Sequence, residues 1–198
     1  MNVRIKRAMM AAGIVTAMTL PLSSQASDGT ITFTGAVTAS TCTLKINGAS
    51  NNGTATVALP IVDTGALTHV SPKTTAGGTF FSIGVSACNA ATDIGGTPSA
   101  PTQVSIYFEA GPNVDEATGG LINTVTGSNV EVNLYNASGA TIVGTQIMPG
   151  TPTNQPTVLT IAGGGLQWFY AGYSTAGAGA AATAGAVNTS ITYSLIYQ

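Results

Sequence analysis

Val187-Asn188-Thr189-Ser190-Ile191-Thr192-Tyr193-Ser194-Leu195-Ile196-Tyr197-Gln198 alternates along nearly its whole length. Val187, Thr189, Ile191, Tyr193, Leu195 and Tyr197 fall on one face of an extended chain, and Asn188, Ser190, Thr192 and Ser194 on the other, because successive side chains of a strand point to opposite sides. The stretch therefore predicts a long amphipathic strand with one face against a core.

Working outward, the same period of two returns in short apolar or alternating runs at 30–37, 41–46, 54–59, 79–87, 103–108, 129–135, 157–161 and 166–173. Between them lie turn-forming clusters such as Asn47-Gly48, Asn51-Asn52-Gly53, Gly77-Gly78, Gly95-Gly96, Gly111-Pro112-Asn113 and Ser138-Gly139. No long stretch repeats apolar residues at the helical three-and-four spacing. Many short strands separated by turns predict an all-β chain, a β-sandwich of immunoglobulin-like kind. Two longer stretches rich in Pro, Gly and Thr, 89–102 and 148–156, read as surface connections. The nearly pure Ala/Gly tract 176–186 is broken by Gly177, Gly179 and Gly185, so it reads as an irregular lead into the last strand and not as a helix.

At the other end, Arg4, Lys6 and Arg7 precede an apolar run from Met9 to Leu22 and then Ser24, Gln25 and Ala26, the pattern of a secretory signal with a small-residue cleavage site. The run is short for a bilayer span and is interrupted by Pro21. Removing 1–26 as a signal peptide gives an expected mature chain of 172 residues beginning at Ser27, enough for one domain. The mature chain keeps two lysines, Lys45 and Lys73, against seven acids, a net charge of −5. Two lysines cannot build the cationic face that displaces counterions from phosphates, so nucleic acid and anionic membrane surfaces are excluded as partners. With 6% charged residues in the whole chain, its surface must be Thr, Ser, Asn and Gly. A freely soluble monomer normally carries far more charge. Such a surface suits a chain packed against copies of itself. Cys42 and Cys88 are the two cysteines, and in an exported protein a pair normally closes into a disulfide. Closing a loop of that length stabilises by roughly 4 kcal/mol in the chain-entropy model. A metal reading would need more ligands than two distant thiols and the single His69.

Gly185, fourteenth from the end, the alternating strand after it and the penultimate Tyr197 together resemble the subunits of the chaperone-usher pathway, the type 1 fimbrial (major) pilin family. The resemblance extends to Asp28-Gly29-Thr30-Ile31-Thr32-Phe33-Thr34-Gly35-Ala36-Val37, to Cys42 and Cys88 and to Phe169-Tyr170-Ala171-Gly172-Tyr173, so it spans the mature chain. It implies an immunoglobulin-like sandwich that lacks its last strand and is completed by donor-strand exchange. On that reading 27–37 is an N-terminal donor-strand extension, with Ile31, Phe33, Gly35 and Val37 entering another subunit's groove, and 38–198 is the pilin domain. Gly185, Val187, Ile191, Tyr193, Leu195 and Tyr197 then form the groove edge and the strand that a periplasmic chaperone engages before an outer-membrane usher passes the subunit to the fibre. The implied partners are other pilin subunits, that chaperone and that usher; the implied place is the cell-surface fimbrium. Burying Ile31, Phe33 and Val37 is expected to contribute roughly 5 to 9 kcal/mol, and Gly35 to let two backbones approach closely. An ordinary first strand of a complete sandwich is the plainer reading of 30–37, and a tip or adaptor pilin with its own receptor contact the alternative function.

Catalytic parts are scarce. His69 lies in Ala66-Leu67-Thr68-His69-Val70-Ser71-Pro72 without a nucleophile motif, and a lone histidine can still serve a triad. Asp115 and Glu116 are adjacent, so on a strand they point apart. Gly163-Gly164-Gly165 lacks the Lys and Ser or Thr of a phosphate loop. The expectation is a structural subunit with no cofactor, not an enzyme. The Asn-x-Ser/Thr matches at Asn52, Asn136 and Asn188 are of a kind that arises by chance in so polar a chain.

Overall fold

Phe108 meets Phe169 edge-on with ring centroids 5.2 Å apart, and this contact joins two antiparallel sheets. The computed structural model describes residues 42–50, 52–67, 75–88, 91–92, 98–99, 102–152, 155, 158–160, 164–177 and 179–197. All belong to the unit Ala36–Gln198. The expected signal 1–26 and the expected donor residues Ile31, Phe33, Gly35 and Val37 lie outside the described residues.

The strands are β1 (Thr43–Ile46), β2 (Ala49–Ser50), β3 (Ala76–Ser86), β4 (Ala91–Thr92), β5 (Pro98–Ser99), β6 (Gln103–Phe108), β7 (Leu121–Ile122), β8 (Val130–Ser138), β9 (Thr141–Gln146), β10 (Leu159–Thr160), β11 (Gly165–Thr175) and β12 (Tyr193–Tyr197). The larger sheet runs β2-β1-β3-β11-β8-β7, with β9 also on β8; the smaller runs β10-β6-β12; β4 and β5 pair only with each other. One 3-10 turn, Thr64–Ala66, capped by the Asp63 carboxylate, is the only helical element among the described residues.

Alternation explains the core. Phe81 and Ile83 of β3, Phe169, Ala171 and Tyr173 of β11, and Val132 and Leu134 of β8 turn inward to meet Ile106 and Phe108 of β6. Fully burying side chains of this size stabilises by about 1.5 to 3 kcal/mol each, which is why the two sheets stay face to face. In the pairing of β3 with β11, Gly78 stands opposite Gly172, and a side-chain carbon at Gly78 would collide with the Ala171 carbonyl and the Tyr170 ring. The register of the pair shifts immediately afterwards, between Gly172 and Tyr173. The Asn47-Gly48 turn links β1 to β2 with both residues at positive φ, 51° and 79°, the geometry for which Asn-Gly is suited.

Two expectations are revised, and one strand has no signal in the sequence. The run 54–59 joins no described sheet, although Val57 and Leu59 pack against the core and the Thr79 hydroxyl donates to the Ala58 carbonyl at 2.8 Å. The last strand is laddered only from Tyr193 onward and not from Val187. β9 went unrecognised because five of its six residues are exposed, so no alternation marks it; β8 and the two-residue turn at Gly139-Ala140 hold it.

Cys42 and Cys88 are bonded, with sulfurs 2.01 Å apart, tying the start of β1 to the end of β3. Replacing either cysteine by serine is expected to remove roughly 4 kcal/mol and to deplete folded subunit sharply. Mass measurement of the purified protein with and without reduction checks the bond: two free thiols in the exported chain would contradict it.

Candidate functional site: an open edge beside β12

The terminal alternation is preserved in the folded chain. Val187, Thr189, Ile191, Tyr193, Leu195 and Tyr197 are half-buried, whereas Asn188, Ser190, Thr192, Ser194 and Ile196 are exposed. Val187, Ile191, Tyr193 and Leu195 pack on the main core. Leu195 and Tyr197 also pack on a second cluster, formed by Val85, Val104 and the disulfide. On one side β12 is laddered to β6, with Leu195 opposite Ile106. On its other side no described strand pairs with it.

The 53–62 segment runs along that open side. The Tyr193 hydroxyl donates to the Gly53 carbonyl at 3.0 Å, and burial pushes the Tyr193 phenol above its ordinary pKa. Toward the other end of each segment, Ile61 and Val62 share a cavity of about 380 Å³ with Gly185 and Val187, lined also by Val130 and Tyr173. The two segments are therefore antiparallel neighbours at both ends, yet no ladder joins them among the described residues. Together the two segments present an apolar strip packed on the same core, with half-buried Val57, Leu59 and Val62 on one and Val187, Ile191 and Leu195 on the other. An apolar strip beside an unladdered backbone edge is what an added strand would cover, its alternate side chains entering the strip and its main chain pairing with the edge.

Gly185 sits on the rim of this cavity, exposed, and a side-chain carbon there would touch nothing within 4 Å. Packing does not require a glycine; the backbone does, for φ is +159°. Upstream, the even-numbered Ala182 packs inward, and downstream the odd-numbered Val187 does. The irregularity around Gly185 changes the phase of the strand.

Residues 31–198 match the family of fimbrial proteins. Aligned over 190 residues, the major fimbrial subunit of Stenotrophomonas maltophilia is 34% identical, with 90% of this chain and 97% of that protein covered. A fimbrial protein of Escherichia coli is 31% identical, covering 86% of this chain and 88% of the relative. This chain belongs to the fimbrial protein family. Among solved structures, a chain of a chaperone-usher pilus superposes with a TM-score of 0.57 at 20% identity, over 92% of this chain and all of the other, in keeping with an all-β, immunoglobulin-like fold. The fimbrial subunit is a structural protein of a surface fimbrium that polymerises with other pilin subunits, and the family is not one of enzymes.

Away from the groove, the fimbrial subunit buries a carboxyl group. Glu131 of β8 is 5% exposed. The Thr118 hydroxyl donates to its Oε2 at 3.2 Å, and Gln146 Nε2 donates to the Thr118 carbonyl. Burial raises the Glu131 pKa; the Thr118 hydrogen bond opposes this, and the charge of Asp115 and its hydrogen bond add to the rise. The folded state thus holds this proton more tightly than the unfolded chain does. Its contribution to stability is fully present below the ordinary glutamate pKa and is lost as pH rises through the elevated one. Urea midpoints measured from about pH 4 to pH 8 should fall for the native chain in that window, and Glu131→Gln should flatten the fall; equal slopes would refute the assignment.

The residues expected at the groove edge fall on and beside β12, whereas nothing in the sequence pointed to Asn123, Asn129 and Gln155. Gln155 caps an end of β6 by accepting from Phe108 N at 2.9 Å and donating to the Phe108 carbonyl at 3.0 Å. Asn123 and Asn129 hold the end of the Ala/Gly tract and the residues just after it. In a chain so rich in polar amides, nothing local singles these three out.

Proposed function

We propose that the subunit polymerises by strand exchange: the strip between 53–62 and 182–197 receives residues 27–37 of the next subunit. Ile31, Phe33 and Val37 enter it, while Gly35 allows close approach of the backbones. The observation that carries this reading is the side of β12 on which no described strand is laddered, where half-buried apolar side chains lie beside that edge. An edge of this kind is a hazard in a monomer, since it templates pairing with any chain that reaches it.

Before assembly the same edge needs a temporary occupant, and the proposal assigns that part to a periplasmic chaperone engaging 187–197, with an outer-membrane usher exchanging it for the incoming strand. Export on the signal 1–26 precedes both. The description of the Stenotrophomonas relative as a major subunit supports a shaft role over a tip role. Electron microscopy of cells with and without the gene tests the reading: fibres labelled by antibody along their length are expected, and fibres of undiminished number in its absence would overturn it.

A further inference from the structure

We infer that Asn123 and Asn129 are positioning residues for strand exchange, two side-chain amides that hold residues 181–188 extended as the receiving edge. The inference rests on the reading that this edge accepts a strand. Asn129 Nδ2 donates to the Ala181 carbonyl at 2.7 Å, and its Oδ1 accepts from Thr183 N at 2.8 Å. Asn123 repeats the arrangement five residues on: Nδ2 donates to the Ala186 carbonyl at 2.9 Å, and Oδ1 accepts from Asn188 N at 2.9 Å. Thr124 adds two bonds to the Asn188 carbonyl, from its backbone N and its hydroxyl, both at 2.8 Å.

Each amide bonds the carbonyl of one residue and the N–H two residues later, the same pair of groups that a neighbouring strand would engage. The two asparagines therefore stand where a ladder would be, on the domain side of the segment. In an extended chain successive residues direct their backbone groups to opposite sides. With the groups of 181 and 183 and of 186 and 188 turned toward the domain, those of Ala182 and of Val187 turn away from it. The change from odd to even falls at Gly185, whose φ of +159° accommodates it. A tract of Ala and Gly has almost no side chain with which to anchor itself; Ala182 and Val187 are its packed members in this stretch. Without the amides it would have to be ordered by the incoming strand, and ordering costs affinity.

The test uses subunit purified from the periplasm in the complex that holds it, mixed with a fluorescent peptide of residues 27–37. Native subunit should exchange its occupant for the peptide. Asn123→Ala and Asn129→Ala are each expected to weaken peptide capture about tenfold, as the loss of two modest hydrogen bonds implies. Asn→Asp at either site keeps the acceptor, loses the donor and should fall between. Amide hydrogen exchange should accelerate at Thr183 and Asn188 in the respective variant, with Ile106 and Phe169 amides unchanged. Native subunit that ignores the peptide would overturn the strand-exchange reading itself. Native subunit that captures it while both alanine variants do so equally well would overturn only this inference. So would acceleration at Ile106 and Phe169 matching that at Thr183 and Asn188, because the asparagines would then serve general stability.

Discussion

Subunits lacking residues 27–37 are expected to end fibres instead of extending them. The deletion removes Ile31, Phe33 and Val37, whose burial in a neighbour's groove is worth roughly 5 to 9 kcal/mol, and it keeps every described strand from β1 to β12. The truncated chain should still be held by the chaperone and still accept a donor peptide, yet it has nothing to offer the next subunit. Mixed with native subunits it should shorten the polymer ladder on a gel in proportion to its share. Gly35→Val should slow assembly for a different reason, an overpacking cost of about 1 to 3 kcal/mol where two backbones meet. Full-length ladders from the truncated chain alone would show that 30–37 is an ordinary first strand.

What the residues reveal before folding follows from what period-two alternation can encode. Alternation records burial on one face, so Gln103–Phe108 is found to the residue and the two long central strands nearly so. It does not record hydrogen-bond partners. Residues 187–192 keep the alternating burial of a strand without joining a ladder, and 54–59 packs apolar side chains on the core without pairing. Both flank the open strip, so sequence and ladder disagree where the proposed added strand would lie. Elsewhere the misses are of another kind. β9 is exposed on both faces and silent in pattern, and the asparagine pair depends on tertiary placement: Asn123 and Asn129 are 63 and 52 residues from the carbonyls they bind.

Leu195→Asp is expected to remove the subunit from the periplasm almost completely. Leu195 touches both apolar clusters, the main core and the smaller one around the disulfide, and stands opposite Ile106 in the ladder to β6. Replacing it forfeits on the order of 2 kcal/mol of apolar burial, and an aspartate there must either bring its charge into the interface or take up a proton, at a cost of several kcal/mol more. A domain whose total margin is about 5 to 15 kcal/mol would then rest on an edge that neither chaperone nor donor strand can cover. The neighbouring Ile196 supplies the control. It is 46% exposed on the opposite face, so Ile196→Asp changes the same strand by the same charge with its side chain in water. Immunoblots of periplasmic extract and of sheared surface fibres should show Leu195→Asp absent from both and Ile196→Asp present in both. If Leu195→Asp accumulates with the chaperone and enters fibres normally, the inward face of β12 is not the groove edge.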